Sequence, residues 1–446
     1  MPYTIQEPDI YTIAADPESV AVGDVTGDGI EDIVVATRKG FSTGADDDMV
    51  LVYPGNVTGL FSSPARYPIG LAPTRPGLVL VDLDKDGKKD VVVGHGQGLT
   101  VLKSAGATLA AAVQHDDGDQ FHLEDNGVVV TTDLDGDGNP DVIGVPWNFD
   151  LMIYYGNGTG GFRDSDVLPT DAHGHTGAQM GDVDGDNDDD LVIMTGLTSH
   201  AFGIHTNQGA TLATDAVFYN LPSSEFADGL AITDVTGDGR EDVIVADALN
   251  RSLFVYPQTT GAPGTPVEFP VDENDVLGVG SPGTMVAGDL DGDGDSDLVV
   301  SLDPADSIGF YFSGPSGLEA ELLVPYPGSL GHSQQGLALG DVNKDSCPDV
   351  VSVDRQNGLV VALGDCGSGS FNPCPGADSD QDGIGDACDC APADAALPNA
   401  DGACPVGPPP PGGPAESSCA TAGAGPGLSL GLALLALTFR RRKVLA

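Results

Sequence analysis

One acidic phrase returns seven times along the chain: GDVTGDGIEDIVV from Gly23, VDLDKDGKKDVVV from Val81, TDLDGDGNPDVIG from Thr132, GDVDGDNDDDLVI from Gly181, TDVTGDGREDVIV from Thr233, GDLDGDGDSDLVV from Gly288 and GDVNKDSCPDVVS from Gly340. Aligned on its first Asp it reads D-x-[DNT]-x-[DN]-[GNS]-x-x-D, which places oxygen-bearing side chains at positions 1, 3, 5 and 9. Four hard oxygen donors within nine residues suit Ca²⁺, which takes about six to eight oxygens at roughly 2.3–2.6 Å. A backbone carbonyl at position 7 and a water would complete the shell. Position 6 is Gly except for Asn187 and Ser346, because the loop must turn sharply back on an ion, often through positive φ. Without a cation, carboxylates this close repel by on the order of 4 kcal/mol per near pair at intermediate dielectric.

The first Asp of each phrase falls at 24, 82, 133, 182, 234, 289 and 341, so the period is 49 to 58 residues. A short alternating or apolar run precedes six of the phrases (VAV, LVLV, VVVTT, LAIT, MVAG, LALG) and a β-branched run follows all seven (DIVVAT, DVVVG, DVIGV, DLVIM, DVIVA, DLVVS, DVVSV). A third run carries aromatics (MVLVYPG, DLMIYYGNG, SLFVYP, IGFYFSG), and a fourth leads into the next unit (RYPIG, AVFYNLP, VEFPV, ELLVPYP). Short Val- and Ile-rich runs bounded by Gly, Asp and Pro read as strands. Four strands in a repeat of about 50 residues form the blade of a β-propeller, so an all-β, seven-bladed ring is predicted. The seventh unit ends at Asp365 one strand short, and Asp9 to Ala14 (DIYTIA) supplies that strand from the N-terminus. Closure of this kind removes exposed sheet edges. An open solenoid is the alternative. An EF-hand is excluded, because position 12 is Val35, Val93, Gly144, Ile193, Val245, Val300 or Ser352 rather than Glu, and the flanks are strands.

On these residues, over about 9–365, the chain resembles the FG-GAP/VCBS repeats of integrin α-subunit propellers and of many bacterial surface proteins. The resemblance implies one Ca²⁺ in the hairpin between the first two strands of each blade, about seven in all, held by positions 1, 3, 5, 7 (carbonyl) and 9. The first loop would use Asp24, Thr26, Asp28 and Asp32, and the second Asp82, Asp84, Asp86 and Asp90. The third would use Asp133, Asp135, Asp137 and Asp141, and the fourth Asp182, Asp184, Asp186 and Asp190. The fifth would use Asp234, Thr236, Asp238 and Asp242, the sixth Asp289, Asp291, Asp293 and Asp297, and the seventh Asp341, Asn343, Asp345 and Asp349. Thr26, Thr236 and Asn343 each remove a carboxylate, so loops one, five and seven are expected to be weaker sites. Most proteins of this pattern lack a catalytic centre.

Beyond the ring the composition changes. All seven cysteines lie at or after Cys347, clustered in an Asp- and Pro-rich stretch that reads as disulfide-bonded and extracytoplasmic rather than as zinc-binding. CPGADSDQDGIGDACDC resembles a thrombospondin type 3 repeat, which implies one further calcium site at Asp378, Asp380, Asp382 and Asp386 with Cys374 and Cys388 in the cysteine positions. Pro405–Pro414 is a stiff linker. Ala420–Phe439 carries no charge over 20 residues and is followed by Arg440, Arg441, Arg442 and Lys443. That length can cross a bilayer as a helix, with the basic end cytoplasmic and the ring outside. With Cys419 before it, this end resembles the MYXO-CTERM sorting tails of myxobacterial surface proteins, which implies processing near Cys419. Residues 1–17 show no basic n-region and no apolar h-region, so no secretory signal is visible, and the start reads as incomplete or misassigned. The expected domains are the propeller 1–365, the Cys-rich segment 366–404, the linker 405–418 and the tail 419–446.

Charge narrows the partners. Seventeen basic against 68 acidic residues give a formal net charge of −51, which excludes nucleic-acid phosphates as a ligand and leaves the tail as the only membrane contact. Hydrophobic residues still make up 40% of the chain, which is enough for a core and is unlike a disordered polyanion. The expected activity is extracellular binding or adhesion to a protein or glycan, as a monomer and not as an enzyme. Two alternatives stand beside it: a coat or spacer protein, and a polysaccharide hydrolase or lyase using His173, His175, His332, His115 or His122 at the central channel. Those histidines gathering in one pocket with Trp147, Phe149, Tyr154 and Tyr155 would favour a ligand or substrate site.

Overall fold

Each acidic phrase turns a corner between two strands, and the β-branched run after it is mostly apolar because both of its faces are buried. In the first repeat Ile33 and Val35 pack to one side and Val34 and Ala36 to the other, all fully buried. That is the period-two geometry of a strand with a neighbour on each face. The structure, a computed structural model, describes residues 3–39, 44, 46–69, 76–95, 98–116, 128–147, 150–170, 174–195, 201–222, 227, 229–271, 281–303, 307–314, 317–326 and 335–366. The thrombospondin-like segment, the linker and the hydrophobic tail lie outside them.

Seven four-stranded antiparallel sheets follow in chain order. Blade 1 is Asp16–Gly23, Asp32–Arg38, Met49–Tyr53 and Ala65–Pro68. Blades 2, 3, 4 and 6 repeat the pattern, opening with Gly77–Val81, Val128–Thr132, His175–Gly181 and Ser281–Gly288. Blade 5 opens with Gly229–Thr233 and inserts a small hairpin, Gln258–Thr259 with Ala262–Pro263, before its outer strand. Blade 7 combines Leu337–Gly340, Asp349–Asp354 and Gly358–Ala362 with Asp9–Tyr11 from the N-terminus. The expected closure is therefore present, on a strand shorter than the run Asp9 to Ala14. A second pair was not anticipated: Thr4–Ile5 runs antiparallel to Gly364–Asp365 just beyond it. Among the described residues there is no helix, and none is long and apolar enough to cross a membrane.

The first strands of successive blades contact one another around the whole circle, including that of blade 7 with that of blade 1, so the ring is closed. The core is divided into seven clusters, each shared by two neighbouring blades. Cys347 and Cys366 form a disulfide that ties the blade 7 hairpin to the end of the ring. Tyr3 is buried beside it and its hydroxyl donates to the Pro348 carbonyl at 2.8 Å.

Candidate metal centres

The seven hairpins share one backbone design. Positions 4 and 6 are both left-handed in every loop, from Gly27 and Gly29 in blade 1 (φ 71° and 81°) to Lys344 and Ser346 in blade 7 (φ 60° and 70°). The sequence pointed to position 6; position 4 was missed because Lys85 and Lys344 occupy it in two loops. The first Asp closes the turn by accepting main-chain N–H groups: Asp24 accepts from Gly27 and Gly29, and Asp234 accepts from Gly237 and Gly239. Position 5 accepts from position 7, as Asp86 does from Lys88 at 3.0 Å.

Position 9 has a second role. Asp32, Asp90, Asp141, Asp190, Asp242, Asp297 and Asp349 are all buried as the first residue of the second strand. In each, one carboxylate oxygen accepts the N–H of loop position 2 and the other accepts an N–H at or just after the end of the third strand. The carboxylate clamps the hairpin to its own sheet. Burial pushes these groups upward against the hydrogen bonds that hold them down: Asp90 and Asp141 to about 6, Asp190 and Asp349 to about 7.

Position 2, always Val or Leu, is the other residue the ligand pattern passed over. Val25, Leu83, Leu134, Val183, Val235, Leu290 and Val342 are at most 1% exposed, and each plugs the core between its blade and the next. Its invariance across the seven phrases was the available signal.

Four loops bring three carboxylates together with oxygens within 4.8 Å of one another: Asp82, Asp84 and Asp86; Asp133, Asp135 and Asp141; Asp182, Asp184 and Asp190; and Asp289, Asp291 and Asp297. These are the loops of blades 2, 3, 4 and 6, the ones with Asp at position 3. In the other loops that position differs: Thr26 lies 3.4 Å from Asp32, and Asn343 donates to Asp345 at 2.9 Å. The donor set fits a hard cation, and one detail supports the fit. Oδ1 of Asp84 and Oδ1 of Asp184, both at position 3, are buried with no hydrogen-bond partner. A buried acceptor left this way is costly, and a cation in the loop would satisfy it.

Among the described residues, the loops of blades 2 and 3 carry an internal cation. Lys103 reaches Asp84 at 2.5 Å and Lys88 reaches Asp86 at 2.6 Å in blade 2. In blade 3, Arg163 pairs with both Asp135 and Asp137 while its guanidinium lies 5.3 Å from the Tyr155 ring centre. Acidic residues also tie one loop to the next: Glu241 accepts the N–H of Asp182 at 2.8 Å, and Glu31 that of Asp341 at 2.7 Å.

The central channel is a different environment. A cavity of about 350 Å³ is lined from all seven first strands and their approaches, by aliphatic groups such as Val20, Leu78, Val130, Ala178, Leu230, Met285 and Leu337, with Gln179, Gln335 and Thr131. Gln335 spans it: its carbonyl accepts from Val20, its Oε1 from the Leu78 N–H, and its Nε2 donates to Leu78 and Val129. Among the described residues, none of the histidines or aromatics considered above lines this cavity. His175 is buried with Nδ1 donating to the Pro146 carbonyl at 2.6 Å, and His115 packs edge-on against Phe162. Tyr154 is buried in the core between blades 2 and 3, and Tyr155 lies under Arg163. His122, His173, His332 and Phe149 lie outside the described residues.

The FG-GAP-like repeat family matches residues 24–93, 133–193 and 234–300, so each match starts at an odd-numbered acidic loop and ends in the second strand of the following blade. No curated protein matches the chain. Among solved structures, a lectin of Agrocybe aegerita, described by its recognition of non-reducing terminal N-acetylglucosamine, is similar at 16% identity and TM-score 0.50, over 72% of this chain and 83% of that one. BBS1N, solved in complex with ARL6DN, is similar at 13% identity and TM-score 0.50, over 81% of this chain and 96% of that one. At these identities the likeness concerns the fold.

Proposed function

Because the chain is a seven-bladed propeller of FG-GAP-like repeats, we propose that it is a calcium-loaded binding module of the cell surface or extracellular space. It recognises a protein or glycan and does not catalyse. The observation that carries the calcium reading is the convergence of three carboxylates in each of four hairpins, with a buried, unpartnered Asp oxygen at the same position in two of them. When bound, Ca²⁺ supplies the positive charge that lets these carboxylates stand together. The chain's own residues do the rest: position 1 shapes the turn, position 9 fixes it to the sheet, and position 2 wedges it between blades. The hairpins thereby become rigid corners of the ring. FG-GAP repeats are typical of extracellular and cell-surface proteins, and the disulfide accords with an oxidising compartment. The two similar structures carry glycan and protein recognition respectively on a related fold.

The test is calorimetry and thermal melting of the whole protein. Titrated Ca²⁺ should bind at several sites, and excess EDTA should lower the melting temperature by more than 10 °C, since a ligand at a hundred times its Kd adds about 2.7 kcal/mol per site. A melting curve indifferent to both would remove the calcium reading. A glycan and surface-protein binding screen with and without calcium tests the recognition reading, and a calcium-dependent hit supports it.

A further inference from the structure

The hairpins of blades 3 and 4 are alike in their three converging carboxylates and opposite in what else surrounds them. In blade 3 the loop is Asp133, Asp135, Asp137 and Asp141, and Arg163 comes from the outer strand of the same blade to grip Asp135 and Asp137 at once. Each terminal nitrogen of the planar guanidinium takes a separate carboxylate, so the group bridges the two Asp side chains. Arg163 is also held by a cation–π contact, its guanidinium carbon lying 5.3 Å over the centre of the Tyr155 ring. In blade 4 the phrase GDVDGDNDDDLVI adds Asp188 and Asp189 to the four ligand positions, and Glu241 of the next blade accepts from the Asp182 N–H. Among the described residues no Lys or Arg pairs with this loop, and Asp184 holds its Oδ1 buried without a partner.

We infer that the metal sites are graded by built-in counter-ions: Arg163 competes with calcium for the blade 3 hairpin, and the uncompensated blade 4 hairpin is the tightest site. The inference rests on the calcium reading above and adds an order of filling to it. The physical reason is the count of ligand charge, which sets affinity in sites of one geometry. A positive group already seated on two ligands must be displaced or must share them, and in its absence the same group holds the metal-free loop together. Arg163 therefore has two opposite effects, on the empty loop and on the filled one. Lys103, on Asp84 at 2.5 Å and on the Thr159 carbonyl at 3.0 Å, holds a similar place in blade 2.

The experiment uses Arg163→Gln in the whole protein, with calcium isotherms by calorimetry and melting in EDTA. Arg163 is 41% exposed on an outer strand, so the variant is expected to fold. One class of sites should bind about fivefold more tightly, the worth of one exposed ion pair, while the EDTA melting temperature falls. A merely structural role would weaken both. In an Asp135→Asn background, where blade 3 has lost a ligand, Arg163→Gln should leave the isotherm unchanged. Asp184→Asn should abolish the tightest class of sites, and Asp135→Asn should not. If calcium binds the natural protein but Arg163→Gln leaves the isotherm unmoved, or Asp135→Asn removes the tightest class, the graded-site inference is overturned and the calcium reading stands. If calcium does not bind at all, both fall.

Discussion

Asp190 accepts N–H groups from Val183 and Asn207 with its two oxygens, and it is fully buried while doing so. The same clamp recurs in the other six hairpins, and it makes the metal-free protein sensitive to pH. Burial, the largest cause, followed in part by a neighbouring Asp, raises the folded values of Asp90 and Asp141 to about 6 and of Asp190 and Asp349 to about 7, from an ordinary 3.8. A raised folded value means that the native state holds its protons more tightly than the unfolded chain. Stability from these groups is complete below about pH 4 and is lost as pH rises through about 6 to 7. In EDTA the melting temperature should therefore rise as pH is lowered from 7.5 to about 5. With saturating calcium, which favours the ionised form, that slope should flatten or reverse. Melting curves at fixed ionic strength, with and without calcium, check both signs.

At the scale of the element, each hairpin combines a turn with a wedge. Two left-handed positions, 4 and 6, bring the chain round, and the position 2 aliphatic enters the core shared with the adjoining blade. The outer strand of blade 7 is the one element borrowed from far along the chain: Asp9, Ile10 and Tyr11 pair with Val361, Val360 and Leu359. Removing residues 1–12 would expose the Gly358–Ala362 edge and uncover the pocket filled by Tyr3. An open, apolar edge pairs with other chains, so the truncated protein should elute as higher oligomers or aggregate where the full chain does not. Size-exclusion chromatography with light scattering distinguishes the two, and a truncated chain that stays monomeric with an unchanged melting temperature would mean that Asp9–Tyr11 is not needed to close the ring.

Across the whole molecule, the ring is held at its hub by amides as well as by its seven shared cores. Gln335 joins blades 1, 2 and 3 from its place before blade 7, and Gln179 joins blade 4 to Leu230 and Ile232 of blade 5. Gln335→Ala would leave the Leu78 N–H and the Leu78 and Val129 carbonyls without their partner in an apolar channel. The expected cost is about 1–3 kcal/mol for each group left unsatisfied, read as a lower midpoint in urea. Calcium stoichiometry should not change, because the hairpins lie away from the hub. A loss of calcium sites in this variant would show that hub and hairpins are coupled.

Repeat number, strand order and the N-terminal closing strand were all legible in the sequence, because each follows from local pattern: seven acidic phrases, period-two apolar runs, and one unit a strand short. The recurrent carboxylate spacing was legible for the same reason. The aliphatic at position 2 was visible but unread, since its meaning lies in the neighbouring blade. Only the tertiary structure decided that position 9 clamps the sheet and that Arg163 sits on the blade 3 loop. It also decided that Gln335 spans the hub and joins three blades there. Each of these depends on which residues from separate strands meet in space, and a one-dimensional pattern carries the period of the blades but not the contacts between them.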